Sequence, residues 1–238
     1  MRASRLPWRR AGDRTVHDAA YSLHMRITAS ALLFDSDGVL LDSHRHVAAA
    51  WQQLAKEFDL DFAILIKELV GVPAATTLAR HLPRAVAERA VGRLEDLEVE
   101  LAATVQPLPG ALRLLNKLPA GRWTIVTSAS RRLAEARWHS AGIPIPAHVV
   151  TADDVAAGKP DPEPFQAAAT ILGAQPKDCV VFEDSSAGGA AAAAAGATAV
   201  AVGEQPWGTA PAARIGTLAE VTVHQNGSEL TLILDGSH

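Results

Sequence analysis

Several features are scarce in this chain of 238 residues, and each scarcity excludes a class of protein. The single cysteine, Cys179, rules out an internal disulfide and is typical of a reducing compartment. Aromatic residues make up only 5%, which argues against stacking platforms for nucleic-acid bases. No apolar run approaches the roughly 18 residues that a membrane span needs. The 22 basic and 26 acidic residues leave a net charge of -4, which provides no basic surface for nucleic acid.

We therefore expect a cytoplasmic protein, monomeric or weakly homodimeric, that binds neither nucleic acid nor membranes. Residues 1–27 are rich in arginine but show no periodicity and no apolar signal-peptide core, so we predict a disordered N-terminal extension. Met25 offers an alternative start directly before the first predicted strand. The sequence is 48% hydrophobic, and the chain is long enough to bury a core.

The stretch around Asp35 organises the chain. The apolar run 31–34 ends in Asp35 and Asp37 with Gly38 behind them, which predicts a buried parallel strand that carries two carboxylates at its carboxyl end. Residues two apart on a strand point to the same side, so both can face one pocket. Two such carboxylates favour a bound cation, which suits phosphate chemistry with one Asp attacking and the other moving protons. An ordinary turn after a strand explains the same residues equally well.

The rest of the chain divides by its periodicity. Apolar residues recur at helical spacing through 47–106, without strand signals, and we predict a small all-helical insertion there. Strands and helices then alternate, including a short strand expected over 148–151, which is typical of a parallel sheet. Asn226-Gly227 between two apolar runs predicts a C-terminal β-hairpin. The predicted fold is α/β, with a Rossmann-like parallel-sheet core formed by 28–46 and 107–238.

Four polar clusters stand where predicted strands end, and such strand ends line one crevice of a parallel sheet. They are Asp35 with Asp37, Thr127 with Ser128, Gly158-Lys159-Pro160, and Glu183 with Asp184. Each cluster also has a structural interpretation. Thr127-Ser128 and Glu183-Asp184-Ser185 are typical N-caps of the helices that follow, and Lys159 is typical of a solvated loop. The joint order of all four is the stronger signal, because coincidence of the whole set is improbable.

These clusters resemble the motifs of the haloacid dehalogenase-like hydrolase superfamily over about residues 28–205. The matching motifs are Phe-Asp35-Ser-Asp37-Gly, Val-Thr127-Ser128, Gly-Lys159-Pro-Asp161-Pro and Phe-Glu183-Asp184-Ser-Ser-Ala-Gly. The helical insertion resembles that family's small cap. Within the superfamily the chain is most similar to sugar-phosphate and polyol-phosphate phosphatases close to β-phosphoglucomutase.

The resemblance implies a catalytic role for three residues. Asp35 is expected to attack phosphorus and form an aspartyl-phosphate. Asp37 is expected to protonate the leaving alkoxide and then to activate the hydrolytic water. Lys159 is expected to pair with both the phosphate and Asp35.

The resemblance also implies a Mg²⁺ site and a phosphate site. The expected metal ligands are Asp35, the backbone carbonyl of Asp37, Asp184 and, through water, Glu183. The expected phosphate contacts are Thr127, Lys159 and backbone amides near Ser36 and Ser128.

The resemblance implies a small-molecule phosphate ester as the substrate, and two other hypotheses about the function stay open. Mutases of this kind carry an arginine in the cap loop for a second phosphate, and the matching stretch 70–77 has none. This absence weakens the mutase interpretation, and a phosphomutase stays the alternative enzyme. A catalytically idle phosphate-binding module is the alternative outside enzymes. His44 and His46 fall at the expected hinge, where we predict solvated residues first and substrate contacts second.

Overall fold

The computed structural model describes residues 25–68, 73–208 and 210–235. Its strands in chain order are β1 (Met25–Ala29), β2 (Ala31–Phe34), β3 (Leu41–Asp42), β4 (Gln106–Pro107), β5 (Trp123–Ile125), β6 (Cys179–Glu183), β7 (Thr198–Val202), β8 (Ala213–Ile215), β9 (Val221–Asn226) and β10 (Glu229–Leu234). Its α-helices are α1 (His44–Glu57), α2 (Phe62–Glu68), α3 (Ala74–His81), α4 (Arg84–Ala102), α5 (Ala111–Leu115), α6 (Arg131–Ala141), α7 (Glu163–Ile171) and α8 (Ser186–Ala195). Among the described residues, no helix is both long and apolar enough to cross a membrane.

A five-stranded parallel sheet forms the centre of the core, in the order β5-β2-β6-β7-β8. All four residues of β2 are buried, because helices cover both faces of the sheet. Side chains alternate between the faces, so Leu32 and Phe34 join one hydrophobic cluster while Ala31 and Leu33 join another. The predicted α/β fold is confirmed.

Small side chains let one helix layer lie close to the sheet. Ala191 and Ala192 of α8 and Phe165 of α7 pack on the face that contains Leu33. The opposite face packs against α5, α6 and a three-stranded antiparallel sheet in the order β1-β10-β9. The result is a three-layer core with the sheet between two layers.

The C-terminal hairpin is present, and it recruits the residues before the first parallel strand. Asn226 pairs with Glu229, so the turn residues are Gly227 and Ser228, one position later than the Asn-Gly pair suggested. The first strand, β1, pairs with β10 from Met25 opposite Leu234 onward. The prediction of a disordered extension over 1–27 is therefore wrong for residues 25–27, which form a strand along the edge of β10. Residues 1–24 lie outside the described part of the chain.

Helices α1 to α4 enclose a hydrophobic cluster of their own. Trp51 and Leu54 of α1, Leu78 of α3 and Leu94 of α4 form its centre. Two linkers connect these helices to the core, and they run side by side because β3 and β4 pair with Leu41 opposite Pro107. We propose that this unit is the predicted cap, with α1 starting before its predicted boundary at residue 47.

Two local predictions need correction. His46 is not solvated: its residue is 7% exposed, and its Nε2 lies 2.9 Å from Thr104 Oγ1 on the second linker. The strand expected over 148–151 reduces to a single bridge between Val150 and Val126. The chain leaves the ladder there because the Thr151 amide donates to the Asp154 carboxylate instead.

Candidate active site

The carboxyl ends of the parallel strands surround one cavity of about 520 Å³. Asp35 follows β2, Thr127 follows β5, and Glu183 ends β6, so the parallel order delivers all three to the same edge of the sheet. The structure brings together all the predicted site residues except Ser36 in the lining of this cavity. They are Asp35, Asp37, Thr127, Ser128, Lys159, Glu183 and Asp184.

Lys159 links two of the strand ends. Its side chain is 4% exposed, and its ammonium group donates to Asp35 Oδ1 (2.5 Å), Glu183 Oε1 (2.8 Å) and the Val126 carbonyl (3.0 Å). The Phe165 ring lies beneath it, with its centroid 5.1 Å from Nζ. These three bonds use every proton of the ammonium group, so Lys159 is fixed rather than solvated.

Glu183 and Asp184 form an acidic cluster with Asp35. Glu183 is 1% exposed, and its second oxygen accepts from the Ser185 amide (2.9 Å) and hydroxyl (3.1 Å). Ligand oxygens of Asp35, Glu183 and Asp184 all lie within 4.8 Å of one another. Three carboxylates against one ammonium group leave surplus negative charge, and hard carboxylate oxygens are the ligands that a divalent cation such as Mg²⁺ prefers. The donor set therefore fits a divalent metal ion.

Two glycines make room for these carboxylates. Gly38 has a φ of 84°, and a Cβ there would lie 2.1 Å from Asp184 Oδ2. A Cβ at Gly188, in the first turn of α8, would lie 1.6 Å from Glu183 Oε1. Any larger residue at either position has to displace a carboxylate of the cluster.

Burial and mutual repulsion govern the charges of the cluster. Burial raises the pKa of Asp35 well above its usual range, Lys159 opposes this shift, and the carboxylates of Glu183 and Asp184 add to it. Burial also raises the pKa of Asp184. Burial alone would lower the pKa of Lys159, but Asp35 and Glu183 outweigh it and raise that pKa. The lysine stays charged, while a cation among the carboxylates would relieve the excess negative charge.

Asp37 lines the same cavity as this cluster but has a different partner. Its Oδ1 accepts from Arg137 of α6 at 3.0 Å. The same guanidinium donates to Glu98 of α4 at 3.2 Å. Burial raises the pKa of the Glu98 carboxyl, and the Arg137 charge opposes the shift.

The predicted phosphate contacts divide into those at the cavity and one behind it. Thr127 is buried and its hydroxyl accepts from the Ala129 amide, whereas Ser128 is exposed at the cavity. The N-cap of α6 is Ser130, which accepts from the Leu133 amide, so the N-cap interpretation of Thr127-Ser128 is wrong.

The Ser36 hydroxyl accepts from the Trp138 indole at 2.9 Å and faces the core, so only the backbone of Ser36 remains for a phosphate contact. For Glu183-Asp184-Ser185, the helix N-cap interpretation holds for Ser185, whose hydroxyl accepts from the Gly188 amide at the start of α8.

His44 lies beside Asp184 of the acidic cluster. Its Nε2 lies 3.4 Å from Asp184 Oδ2, and 60% of its side chain is exposed. The hydrogen bond to Asp184 raises the pKa of His44. Of the two hinge histidines, only His44 therefore matches the predicted solvated position.

Comparison with known proteins decides the family. A family model described as haloacid dehalogenase-like hydrolase matches residues 29–196, well over half of the chain. The chain belongs to the haloacid dehalogenase-like hydrolases. The match runs from β1 to the end of α8, so it contains every residue of the acidic cluster and both aspartates after β2.

Individual haloacid dehalogenase-like proteins show the same relationship. Hexitol phosphatase A of Escherichia coli is 40% identical over 162 residues, which cover 66% of this chain and 74% of that protein. Beta-phosphoglucomutase of Bacillus subtilis is 32% identical over 188 residues, which cover 73% of this chain and 83% of that one. A crystal structure of a hydrolase from Pseudomonas syringae has a TM-score of 0.63 and 29% identity, covering 73% of this chain and 84% of that one.

Three contacts at the candidate site escaped the sequence analysis of this haloacid dehalogenase-like chain. They are Arg137 on Asp37, Glu98 on Arg137, and the Val126 carbonyl on Lys159. Arg137 lies on the buried face of a helix that reads as ordinary amphipathic sequence. An arginine at a position that helical spacing assigns to the core is the only signal that could have found it.

Proposed function

We propose that this chain is a Mg²⁺-dependent phosphatase that hydrolyses a small sugar or polyol phosphate through an aspartyl-phosphate on Asp35. One observation carries the proposal. A buried carboxylate, Asp35, is fixed by Lys159 and shares one cavity with a second, differently held carboxylate, Asp37. Two carboxylates in different environments are what a nucleophile and a proton carrier require.

The two aspartates divide the chemistry. A carboxylate oxygen of Asp35 attacks phosphorus while the bond from phosphorus to the ester oxygen breaks. Asp37 gives its proton to that oxygen, which leaves as an alcohol. Asp37, now ionised, takes a proton from a water molecule that attacks the same phosphorus, and the phosphate leaves Asp35 as a carboxylate. Both residues end in their starting protonation states.

The phosphoryl oxygens need donors that are already in place. Lys159 supplies a fixed positive charge beside Asp35. The Thr127 hydroxyl and the backbone around Ser128 line the same side of the cavity and are assigned to a phosphoryl oxygen. The backbone amide of Ser36 completes the set, since its hydroxyl is engaged by Trp138.

The acidic cluster would hold the metal ion. Asp35, Asp184 and the Asp37 carbonyl are assigned as direct ligands and Glu183 as a ligand through water. When bound, Mg²⁺ neutralises the charge that the phosphate dianion brings next to these carboxylates. Lys159 holds Asp35 and Glu183 in place before any cation or substrate arrives.

The cavity favours a monophosphate. Apart from Lys159, the described residues that line it include no lysine, arginine or histidine, so they offer no cation for a second phosphate. Its remaining walls are small and apolar, including Ala129, Ala152 and Val155. The name of the hexitol phosphatase relative supports a polyol or sugar as the alcohol. A phosphomutase is the second candidate, and the name of the beta-phosphoglucomutase relative favours it.

The helical unit α1 to α4 serves as a lid in this proposal. Pro73 and Ala74, at the start of α3, already line the cavity from that side. Movement of the unit about the paired linkers β3 and β4 would admit the substrate and then exclude bulk water.

The test is phosphate release from a panel of hexitol, hexose, glycerol and nucleotide monophosphates, with Mg²⁺ and then with EDTA. We expect metal-dependent release that is fastest for one sugar or polyol ester. Equal rates with EDTA would contradict the metal site. Absence of release from every ester would contradict the phosphatase, and conversion of a hexose 1-phosphate with a bisphosphate primer would then establish the mutase. Inactivity in both assays would leave an idle binding module.

A further inference from the structure

Arg137 occupies an unusual position for a charged residue. It projects from the middle of α6 between the core and the helical unit, and its side chain is 4% exposed. One amino group donates to Asp37 Oδ1 at 3.0 Å, and the other donates to Glu98 Oε1 of α4 at 3.2 Å. Its Nε is buried without a hydrogen-bond partner among the described residues. A single guanidinium thus connects the proposed acid-base residue to a helix of the lid.

Stability does not account for an arginine here. Removing a guanidinium from water is costly, and well-packed apolar side chains often replace buried ion pairs without loss of stability. The buried Nε of Arg137, which has no hydrogen-bond partner in the described part of the chain, adds to the free-energy cost of burying this side chain. Its contribution therefore lies in what it holds, and at one end it holds the carboxylate that has to carry the proton.

We propose that Arg137 is a positioning residue for Asp37 and that Glu98 makes this positioning depend on docking of the lid. The inference rests on the proposed phosphatase function. Fixing Oδ1 of Asp37 removes the rotation of its carboxyl group, so the other oxygen faces the cavity where the ester oxygen has to be protonated. Glu98 fixes the far side of the same guanidinium from α4, so Arg137 is held at both ends only while α4 lies against α6.

A positioned general acid accelerates the reaction most when the leaving group needs a proton in order to depart. An alkoxide needs it, whereas nitrophenolate leaves as a stable anion. The test is therefore the ratio of kcat/KM for a hexitol phosphate to kcat/KM for p-nitrophenyl phosphate. Since kcat/KM covers only the steps up to release of the alcohol or phenol, later hydrolysis of the phosphoenzyme does not enter it. The ratio is also independent of the fraction of enzyme that is folded.

Arg137→Met should lower this ratio about tenfold or more, out of the roughly 10²- to 10⁴-fold that a general acid contributes. Arg137→Lys keeps one charged contact and should give an intermediate ratio. Glu98→Ala should lower the ratio in the same direction, and Glu98→Gln, which keeps an acceptor oxygen, should stay close to wild type.

Arg132→Met is the matched control. Arg132 of α6 also pairs with α4, through Asp96 at 2.7 Å, but it does not reach Asp37. Its loss breaks an ion pair between the same two helices and should leave the ratio unchanged.

An unchanged ratio in Arg137→Met, or an equal fall in Arg132→Met, would overturn the positioning role. An unchanged ratio in Glu98→Ala would overturn its dependence on the lid. These outcomes differ from failure of the proposed function, in which the wild-type protein cleaves neither ester and both proposals fall.

Discussion

Replacing Lys159 with methionine tests how the acidic cluster is held together. Methionine keeps the length of the side chain but removes a charge that two buried carboxylates share at 2.5 and 2.8 Å. Breaking a buried ion pair by removing one partner costs about 3–5 kcal/mol, because the other charge stays buried. We expect Lys159→Met to lower the free energy of unfolding by about this amount in metal-free protein at slightly alkaline pH.

The loss should depend on pH with a definite sign. Without Lys159, which lowers the pKa of Asp35, that pKa rises further above its unfolded value in the folded state. A carboxyl group with a raised folded pKa contributes stability while it is protonated, and this contribution is lost as pH rises through that pKa. The deficit of the variant should therefore shrink at mildly acidic pH, by about 1.4 kcal/mol for each pKa unit gained.

Urea unfolding followed by tryptophan fluorescence, with EDTA present, measures both effects. Lys177→Met is the control, since Lys177 is exposed and a surface substitution changes stability by no more than about 0.5 kcal/mol. Saturating Mg²⁺ at about 100 times its dissociation constant should return about 2.7 kcal/mol to the variant. Equal stability of the Lys159 and Lys177 variants at alkaline pH would refute the account of the cluster.

Three further predictions concern the same region. Gly38→Ala places a Cβ only 2.1 Å from Asp184 Oδ2 on a backbone in the left-handed region, so it should weaken Mg²⁺ binding as measured by calorimetry. Gly92→Ala is the control, because a Cβ there meets no other atom of the described residues within 4 Å, and it should leave Mg²⁺ binding unchanged. Burial raises the pKa of Asp35 and a bound cation would lower it, so Mg²⁺ should bind more tightly as pH rises and should release protons. A heat of binding that is the same in buffers of different ionisation enthalpy would contradict this. Burial raises the pKa of the Cys179 thiol to about 11, so a thiol reagent at neutral pH should label it only in unfolded protein, and rapid labelling of the native protein would contradict its placement.

The sequence predicted the parts of the fold that depend on local pattern. The apolar run before Asp35 could only be a buried strand in an alternating βα chain, and the parallel order then brought the ends of β2, β5 and β6 to one edge. Gly142 and Gly196 end α6 and α8 in the left-handed conformation, as glycine after a periodic run indicates.

What escaped prediction depends on contacts between residues far apart in the chain. Arg137 and Asp37 are separated by 100 positions, and nothing near either residue indicates the other. The pairing of β1 with β10 spans almost the whole chain and depends on a hairpin edge that only the folded core presents. His46 is buried because the second linker returns beside it with Thr104, which periodicity within α1 cannot reveal.

The most direct test of the central claim is the turnover of a hexitol phosphate by Asp35→Asn. Asparagine keeps the shape of the side chain but is a poor nucleophile, and Asp178→Asn, at an exposed position outside the cavity, is the matched control. The account predicts that phosphate release by Asp35→Asn falls to the uncatalysed background while the control stays at the wild-type rate. Release by Asp35→Asn at the wild-type rate would contradict the assignment of the nucleophile and the mechanism built on it.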